Sequence, residues 1–228
     1  ASRLSYLLDL DGPVLAINTA CSSSLVAAHQ ACLALRSGEC DTAVVGGVNL
    51  LLRPYIFIGL AQSGMLSDDG KCHAFDRRAN GMVPGEAIAV VVLKRLVDAQ
   101  VQGDHIYALI QGSGINYDGK TNGITAPSGE SQRKLLQDIY TRYQIHPKSI
   151  DYLVAHGTGT VLGDPVEINA LLDVINGEVV GKQELHRLEA RARGGGEAVK
   201  KGQLVPEHGE IGSEGRHVRM SLSLFSGS

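Results

Sequence analysis

A chain of 228 residues is long enough for one large domain or two small ones. Its 43% hydrophobic and 20% charged content and its net charge of −3 are those of an ordinary soluble globular protein, without the basic excess that nucleic acid requires. No apolar run approaches the roughly 18–20 residues needed to span a bilayer, and the opening "ASRLSYLLDLDGP" lacks a signal peptide's charged start and cleavage site.

The predicted elements alternate. Val14–Ile17 reads as a short buried strand, and Ser22–Arg36 as an Ala- and Leu-rich helix closed by Gly38. Thr42–Leu52 is an apolar run suited to a buried strand, whereas 53–79 reads as irregular loop. Glu86–Lys94 and His105–Gln111 are the next two predicted strands, both buried, and the second leads into the turn-rich "GSGINYDGKTNGITAPSGE". Ser128–Tyr143 places Leu135, Leu136, Ile139, Tyr140 and Tyr143 at helical spacing behind a Ser N-cap. Asp151–Ala155 is a further predicted strand. Asp164 then opens a helix, with Pro165 at its first position and Glu167 three residues after Asp164, the pattern of a capping box. Strands alternating with helices imply an α/β layered domain over residues 1–176. From 177 to 228, Arg, Lys, Glu and Gly dominate without a sustained period, so this tail is expected to be poorly ordered and not native-like.

The cysteines are Cys21, Cys32, Cys40 and Cys72, with no C-x-x-C pair and no zinc-ligand spacing. They suit a reduced, cytoplasmic protein in which at most one thiol has a special role. Cys21 is the candidate. It stands where a strand turns into a helix, and that turn projects one side chain while the helix N-terminus offers free N–H groups and a partial positive charge. Such a field favours a thiolate. Ser22, Ser23 and Ser24 would need a strong adjacent base to act as nucleophiles, and are assigned to capping and packing the first turn. Cys32 and Cys40 read as small hydrophobes. The second candidate stretch is "AHGTGT", Ala155–Thr160: Gly157 and Gly159 let the backbone approach a ligand, Thr158 and Thr160 supply uncharged hydroxyls, and His156 can donate to a developing oxyanion or relay a proton. Taken alone, this stretch fits a plain turn equally well.

Four stretches change that balance: "GPVLAINTACSSSLVAAHQACLALRSGECDTAVVGGVNLLL", "MLSDDGKCHAFDRRANGMVPGEAIAVVVLKRL", "INYDGKTNGITAPSGESQRKLL" and "YLVAHGTGTVLGDPVEINAL". They resemble the β-ketoacyl synthase (ketosynthase) family, most closely the ketosynthase domains of modular type I polyketide synthases, nearly continuously from Ala1 to about Leu171. The resemblance implies a thiolase-like layered α/β fold and the decarboxylative condensations of polyketide or fatty acid biosynthesis. It implies that Cys21 accepts an acyl chain as a thioester from an acyl carrier protein. His156 would bind the carbonyl of the incoming malonyl thioester and assist its decarboxylation, and Thr158 and Thr160 would contact the phosphopantetheine arm that carries both substrates. It further implies no bound cofactor, no metal, no nucleic acid or membrane partner, and a homodimer with the strand before Cys21 at its interface.

The pattern also departs from the family. A second histidine and a lysine belong to a K-S-N-I-G-H-L-E-A-like stretch, where this chain has "GKQELHRLEARARGGG". Matching Leu188–Ala190 puts Lys182 on the family lysine and Glu189 on its glutamate, but Arg187 on the histidine position, with His186 one residue early. Residues 177–228 therefore read as a degraded or frame-shifted segment. Asn18 stands where Asp is usual and Val154 where Glu is usual. The family's segment before "ASRLSY" and its C-terminal Gly-Phe-Gly loop have no counterpart here. The expectation is an incomplete condensing domain, inactive by itself. Two alternatives stay open: a domain that accepts acyl groups on Cys21 without condensing them, and a non-catalytic scaffold fragment that retains dimer and carrier-protein surfaces.

Overall fold

The computed structural model describes residues 1–123, 125–177 and the backbone of 218–223. A short helix α1 (Ser2–Leu7) precedes a 3-10 turn (Ala20–Ser22) that runs into α2 (Ser23–Ser37). Strand β1 (Thr42–Asn49), helix α3 (Tyr55–Gln62), strand β2 (Ala87–Lys94) and helix α4 (Leu96–Gln102) follow. Then come β3 (Ala108–Gly114), α5 (Gly129–Arg142), α6 (Gly163–Asn176) and β4 (Val218–Ser223). β1 and β2 pair antiparallel in a regular ladder from Thr42↔Lys94 to Asn49↔Ala87. β3 pairs with β4 in parallel.

Glycines set how closely helices approach these sheets. A Cβ on Gly47 of β1 would lie 2.8 Å from the Ser24 Cβ, so the first turn of α2 sits directly on the strand. A Cβ on Gly112 of β3 would lie 2.5 Å from the Tyr143 ring, and one on Gly114 2.9 Å from Ile139, so α5 is seated as closely on β3. The core lies between α5 and α6, built from Leu135, Leu136, Ile139, Tyr140, Leu171 and Val174, with Ile145 at its edge. Ala155 packs against it and thereby anchors the residue before His156. Arg95 ties the far end of α2 to α4, donating to the carbonyls of Leu35 (3.0 Å) and Cys40 (2.8 Å) and to Asp98 (2.6 Å).

The predicted helices of the first and third quarters of the chain form as expected. Gly38 closes α2 in the left-handed conformation at φ 76°, and the Ser128 hydroxyl caps α5 by accepting from the Ser131 N–H. Other expectations are corrected. The predicted strands Val14–Ile17 and Asp151–Ala155 pair with no other strand among the described residues, and Leu15, Tyr152 and Val154 are exposed. β1 and β2 form but are not the buried strands expected: β1 stops at Asn49 short of Leu52, only its Val45 is buried, and Val44, Val48, Ile88, Val90, Val91 and Val92 are exposed. β3 lies three residues later than predicted at both ends, following its ladder with β4 from Ala108↔Val218 to Gly114↔Ser223. The stretch read as loop contains α3, whose apolar run is interrupted by Gly59. Helix α4, which had no predicted counterpart, ends on Gly103 at φ 69°. Within the tail, 218–223 form β4, and the apolar alternation of Val218, Met220 and Leu222 matches a strand's period.

One buried titratable group links α2 to β3. His29 of α2 is 7% exposed and its Nδ1 lies 2.9 Å from the buried Ser113 hydroxyl of β3. Burial, aided by the positive charges of Arg36 and Arg142, pushes the His29 imidazole below its ordinary value. The unfolded chain therefore takes up this proton first on acidification. The contribution is intact above about pH 6.5, the ordinary histidine value, and is lost as pH falls below it. The difference in urea midpoint between the parent chain and His29→Gln is expected to narrow between pH 7.5 and 5.5; an unchanged difference would show that His29 is not held neutral by the fold.

Candidate active site

Cys21 sits inside the 3-10 turn immediately before α2, and its side chain is exposed. The turn is strained, with Ala20 at φ 54° in the region that non-glycine residues avoid. Side chains around Cys21 hold it there. Asn18 Oδ1 accepts from the Ala20 N–H at 3.2 Å. The Ser23 hydroxyl accepts from the Thr19 N–H (2.8 Å) and donates to the Ala20 carbonyl (2.7 Å). Ser22, 4% exposed, donates to the Thr19 carbonyl at 2.9 Å. The capping expected of these serines does not form, since α2 has no side-chain cap: the Ser22 and Ser23 hydroxyls turn back to the Thr19 and Ala20 carbonyls and brace the turn instead, while Ser24 packs on Gly47 as expected.

The imidazole facing that thiol is His156. Hydrogen bonding between them is the largest influence on both: it holds the Cys21 thiol below the ordinary thiol range and raises His156 above the ordinary histidine value. Partial loss of solvent around the two groups opposes both shifts and is outweighed. Each shift favours the thiolate–imidazolium form of the pair.

Two carboxylates read from the sequence as a capping box do something else. α6 has no side-chain cap from Asp164 or Glu167. Glu167, 4% exposed, accepts from the His156 N–H through Oε1 (2.6 Å) and from the Gly157 N–H through Oε2 (2.9 Å). Asp164, equally buried, accepts from the Gly159 N–H (3.0 Å) and the Phe75 N–H (2.6 Å). Both also support the positive charge on His156 at longer range. The start of α6 is served instead by Thr160, whose Oγ1 accepts from the Gly163 N–H at 3.1 Å and lies 3.0 Å from the Thr158 Oγ1. Thr158 and Thr160 therefore stand together beside His156, part-buried, with hydroxyl valence left for a ligand.

The chain between Ser67 and Met82 closes over the back of this loop. Cys72 Sγ lies 3.6 Å from the Gly157 carbonyl and 3.5 Å from that of Thr158, and the Gly81 N–H donates to the Gly159 carbonyl at 2.9 Å. Sequence reasoning assigned nothing to Cys72, Phe75 or Gly81, since the segment has no period. Lys182 and His186, and Arg187 beside them, lie outside the described residues. No group of three or more His, Cys, Asp or Glu among the described residues is arranged to hold a metal.

An α/β protein that presents a thiolate-prone cysteine at a helix start, paired with an imidazole on a glycine-threonine loop, carries the apparatus of nucleophilic catalysis at a carbonyl. Residues 1–99 match the family model for the beta-ketoacyl synthase N-terminal domain, and residues 107–186 that for its C-terminal domain. Polyketide synthase PksL of Bacillus subtilis (strain 168) is 56% identical over 183 residues, 80% of this chain and 4% of that protein. Polyketide synthase ThaG of Burkholderia thailandensis is 56% identical over 175 residues, 77% of this chain and 3% of that protein. The solved ketosynthase from module 6 of the bacillaene synthase of Bacillus subtilis 168 superposes with a TM-score of 0.78 and 55% identity, covering 80% of this chain and 33% of that one. The oxazolomycin ketosynthase domain OzmH KS7 of Streptomyces albus JA3453 gives 0.77 and 42%, covering 80% and 31%.

The chain belongs to the β-ketoacyl synthase family and has the thiolase-like fold of polyketide synthase ketosynthase domains. It spans about a third of the solved ketosynthase chains it matches and a small fraction of the curated synthases. Among the described residues no helix is long and apolar enough to cross a membrane.

Proposed function

We propose that this chain carries the acyl-accepting half of a condensing site that extends polyketide chains. The observation that supports it is the exposed Cys21 thiol paired with His156 at the start of α2. The Cys21 thiolate attacks the carbonyl carbon of an acyl group carried on the phosphopantetheine of an acyl carrier protein. The oxyanion forms beside the N–H groups of the 3-10 turn, the bond to the pantetheine sulfur breaks, and that sulfur leaves with the proton from His156. In the second half, the His156 N–H holds the carbonyl of a malonyl thioester while its carboxylate departs as carbon dioxide. The carbanion then attacks the Cys21 thioester and expels the Cys21 sulfur as thiolate. Thr158 and Thr160 hold the pantetheine arm.

Lys182 and His186 are the nearest counterparts of the family's lysine and second histidine, but Arg187 occupies the histidine position. Residues 177–228 have the aperiodic, charge-rich character of a degraded or frame-shifted segment, within which 218–223 forms β4. On this reading the chain accepts acyl groups slowly and does not condense them. The exposed run around Leu15 supports a homodimer contact ahead of Cys21, and four free cysteines suit the cytoplasm. Incubation of the 228-residue chain with an acyl thioester is expected to place the acyl mass on the Cys21 peptide. The adduct should be absent in Cys21→Ala and form roughly 100-fold more slowly in His156→Ala. No β-ketoacyl product should follow on adding malonyl carrier protein. A product that disappears in Cys21→Ala would show a working condensing enzyme and overturn the reading of the tail; no adduct on Cys21 would favour the scaffold.

A further inference from the structure

The Ser67–Met82 segment has no role in that chemistry, yet it is irregular chain tied down by many hydrogen bonds. Its ends are closed by the Ser67 N–H donating to the Met82 carbonyl (2.9 Å) and the Met82 N–H to the Met65 carbonyl (2.8 Å). Its interior is tied by the buried Ser67 hydroxyl to Asp69 (2.8 Å) and Asn80 (3.0 Å). At its centre Phe75 is held at φ 57°, a conformation a bulky residue adopts only when its surroundings impose it. The restraint is visible: the Phe75 N–H donates at 2.6 Å to Asp164, the same buried carboxylate that accepts from the Gly159 N–H. The Phe75 ring then lies against Gly157, where a Cβ would come within 3.1 Å of Cε2. Gly157 itself is at φ 51° and directly follows His156. Backbone strain of this kind persists where a function repays it.

We propose that Phe75 is a positioning residue for the active site: its ring, braced by the Ser67–Met82 segment and by Asp164, fixes the turn at Gly157 and so aims the His156 imidazole at Cys21. The aromatic edge fills the space that lets the loop relax away from the thiol. In this role Phe75 acts only through the direction it gives His156. This deepens the reading of the same site and depends on the Cys21–His156 pair alone, not on acyl transfer or condensation.

The test is the pH profile of iodoacetamide labelling at the Cys21 peptide in the full chain, with Cys40 and Cys72 read in parallel. The parent chain is expected to show a midpoint below that of a free cysteine peptide. In Phe75→Ala, folded by circular dichroism, the midpoint rises toward the free value. Labelling at pH 7 then falls about threefold for each pH unit of rise, since lost thiolate is partly offset by greater nucleophilicity. Phe75→Leu, which keeps bulk but no ring edge, is expected to rise by less. An unchanged Cys21 profile in folded Phe75→Ala overturns the proposal. If Phe75→Ala does not fold, an unchanged profile in Phe75→Leu overturns it and a raised midpoint supports it. A parent midpoint no lower than the free peptide's would overturn the Cys21–His156 pairing itself, an outcome distinct from failure of Phe75 to position it.

Discussion

Replacing Glu167 with alanine is expected to cost about 2–4 kcal/mol of stability and to strip Cys21 of its heightened reactivity. The carboxylate is 4% exposed and its two oxygens accept from two successive backbone N–H groups, those of His156 and Gly157. Alanine leaves both donors facing the space of the lost side chain. Each unsatisfied donor costs about 1–3 kcal/mol where water does not replace the acceptor, and the exposed side of His156 lets water recover part of that. The chemical loss follows from the same bonds. With its N–H released, His156 is no longer held in register with the thiol, and the negative charge that helps keep its imidazole protonated is gone. Glu167→Gln is the informative partner. Its carbonyl oxygen satisfies one N–H, but its amide then turns a donor toward the other, so it should fall between the parent and Glu167→Ala in both measurements. The urea midpoint reports the first effect and the rate of Cys21 alkylation at pH 7 the second. Glu167→Ala within about 0.5 kcal/mol of the parent, with Cys21 equally reactive, would mean that the carboxylate supports neither the loop nor the pair.

Much of the site is legible from residue types. Cys21 stands out because a helix start is a local feature, although the strand read ahead of it does not form, and the serines after it can be set aside as nucleophiles because they lack a base. α2 and α5 are legible because their signals are local too: an Ala- and Leu-rich run closed by Gly38 for α2, and helical spacing behind the Ser128 cap for α5. The misses share a different cause. Whether Val14–Ile17 and Asp151–Ala155 are strands depends on a neighbour that the local sequence does not name. Asp164 and Glu167 have the spacing of a capping box, but the N–H groups they bond belong to residues 156, 157, 159 and 75. A carboxylate serves either set of donors equally well, and only the tertiary path of the HGTGT loop decides. Phe75 and Cys72 lie in a segment with no period at all, so nothing local marks them.

Gly81→Ala is expected to be the most damaging single-methyl change near the site, costing about 3–5 kcal/mol. Gly81 is buried, and its φ of 142° lies where side-chain-bearing residues are strained whatever the space around them. The space is also taken. A Cβ there would sit 2.5 Å from the Leu66 carbonyl carbon and 2.6 Å from the Ser67 nitrogen. Those are backbone atoms, which no rotamer change can move aside. Relief therefore requires the two stretches to separate, and two hydrogen bonds cross that seam, Ser67 N–H to Met82 (2.9 Å) and Met82 N–H to Met65 (2.8 Å), while a third leaves it, Gly81 N–H to Gly159 (2.9 Å). The last reaches the HGTGT loop, so strain from a methyl group at Gly81 is transmitted toward His156. Gly85→Ala is the control: it lies a few residues on, has nothing within 4 Å of the added Cβ and an ordinary φ, and should stay within about 0.5 kcal/mol of the parent. Thermal melts of the two variants, with Cys21 labelling at pH 7 on each, separate the cases. Gly81→Ala with the stability and labelling rate of Gly85→Ala would show that the Leu66–Met82 seam yields easily and that the loop carrying His156 is held by α6 alone.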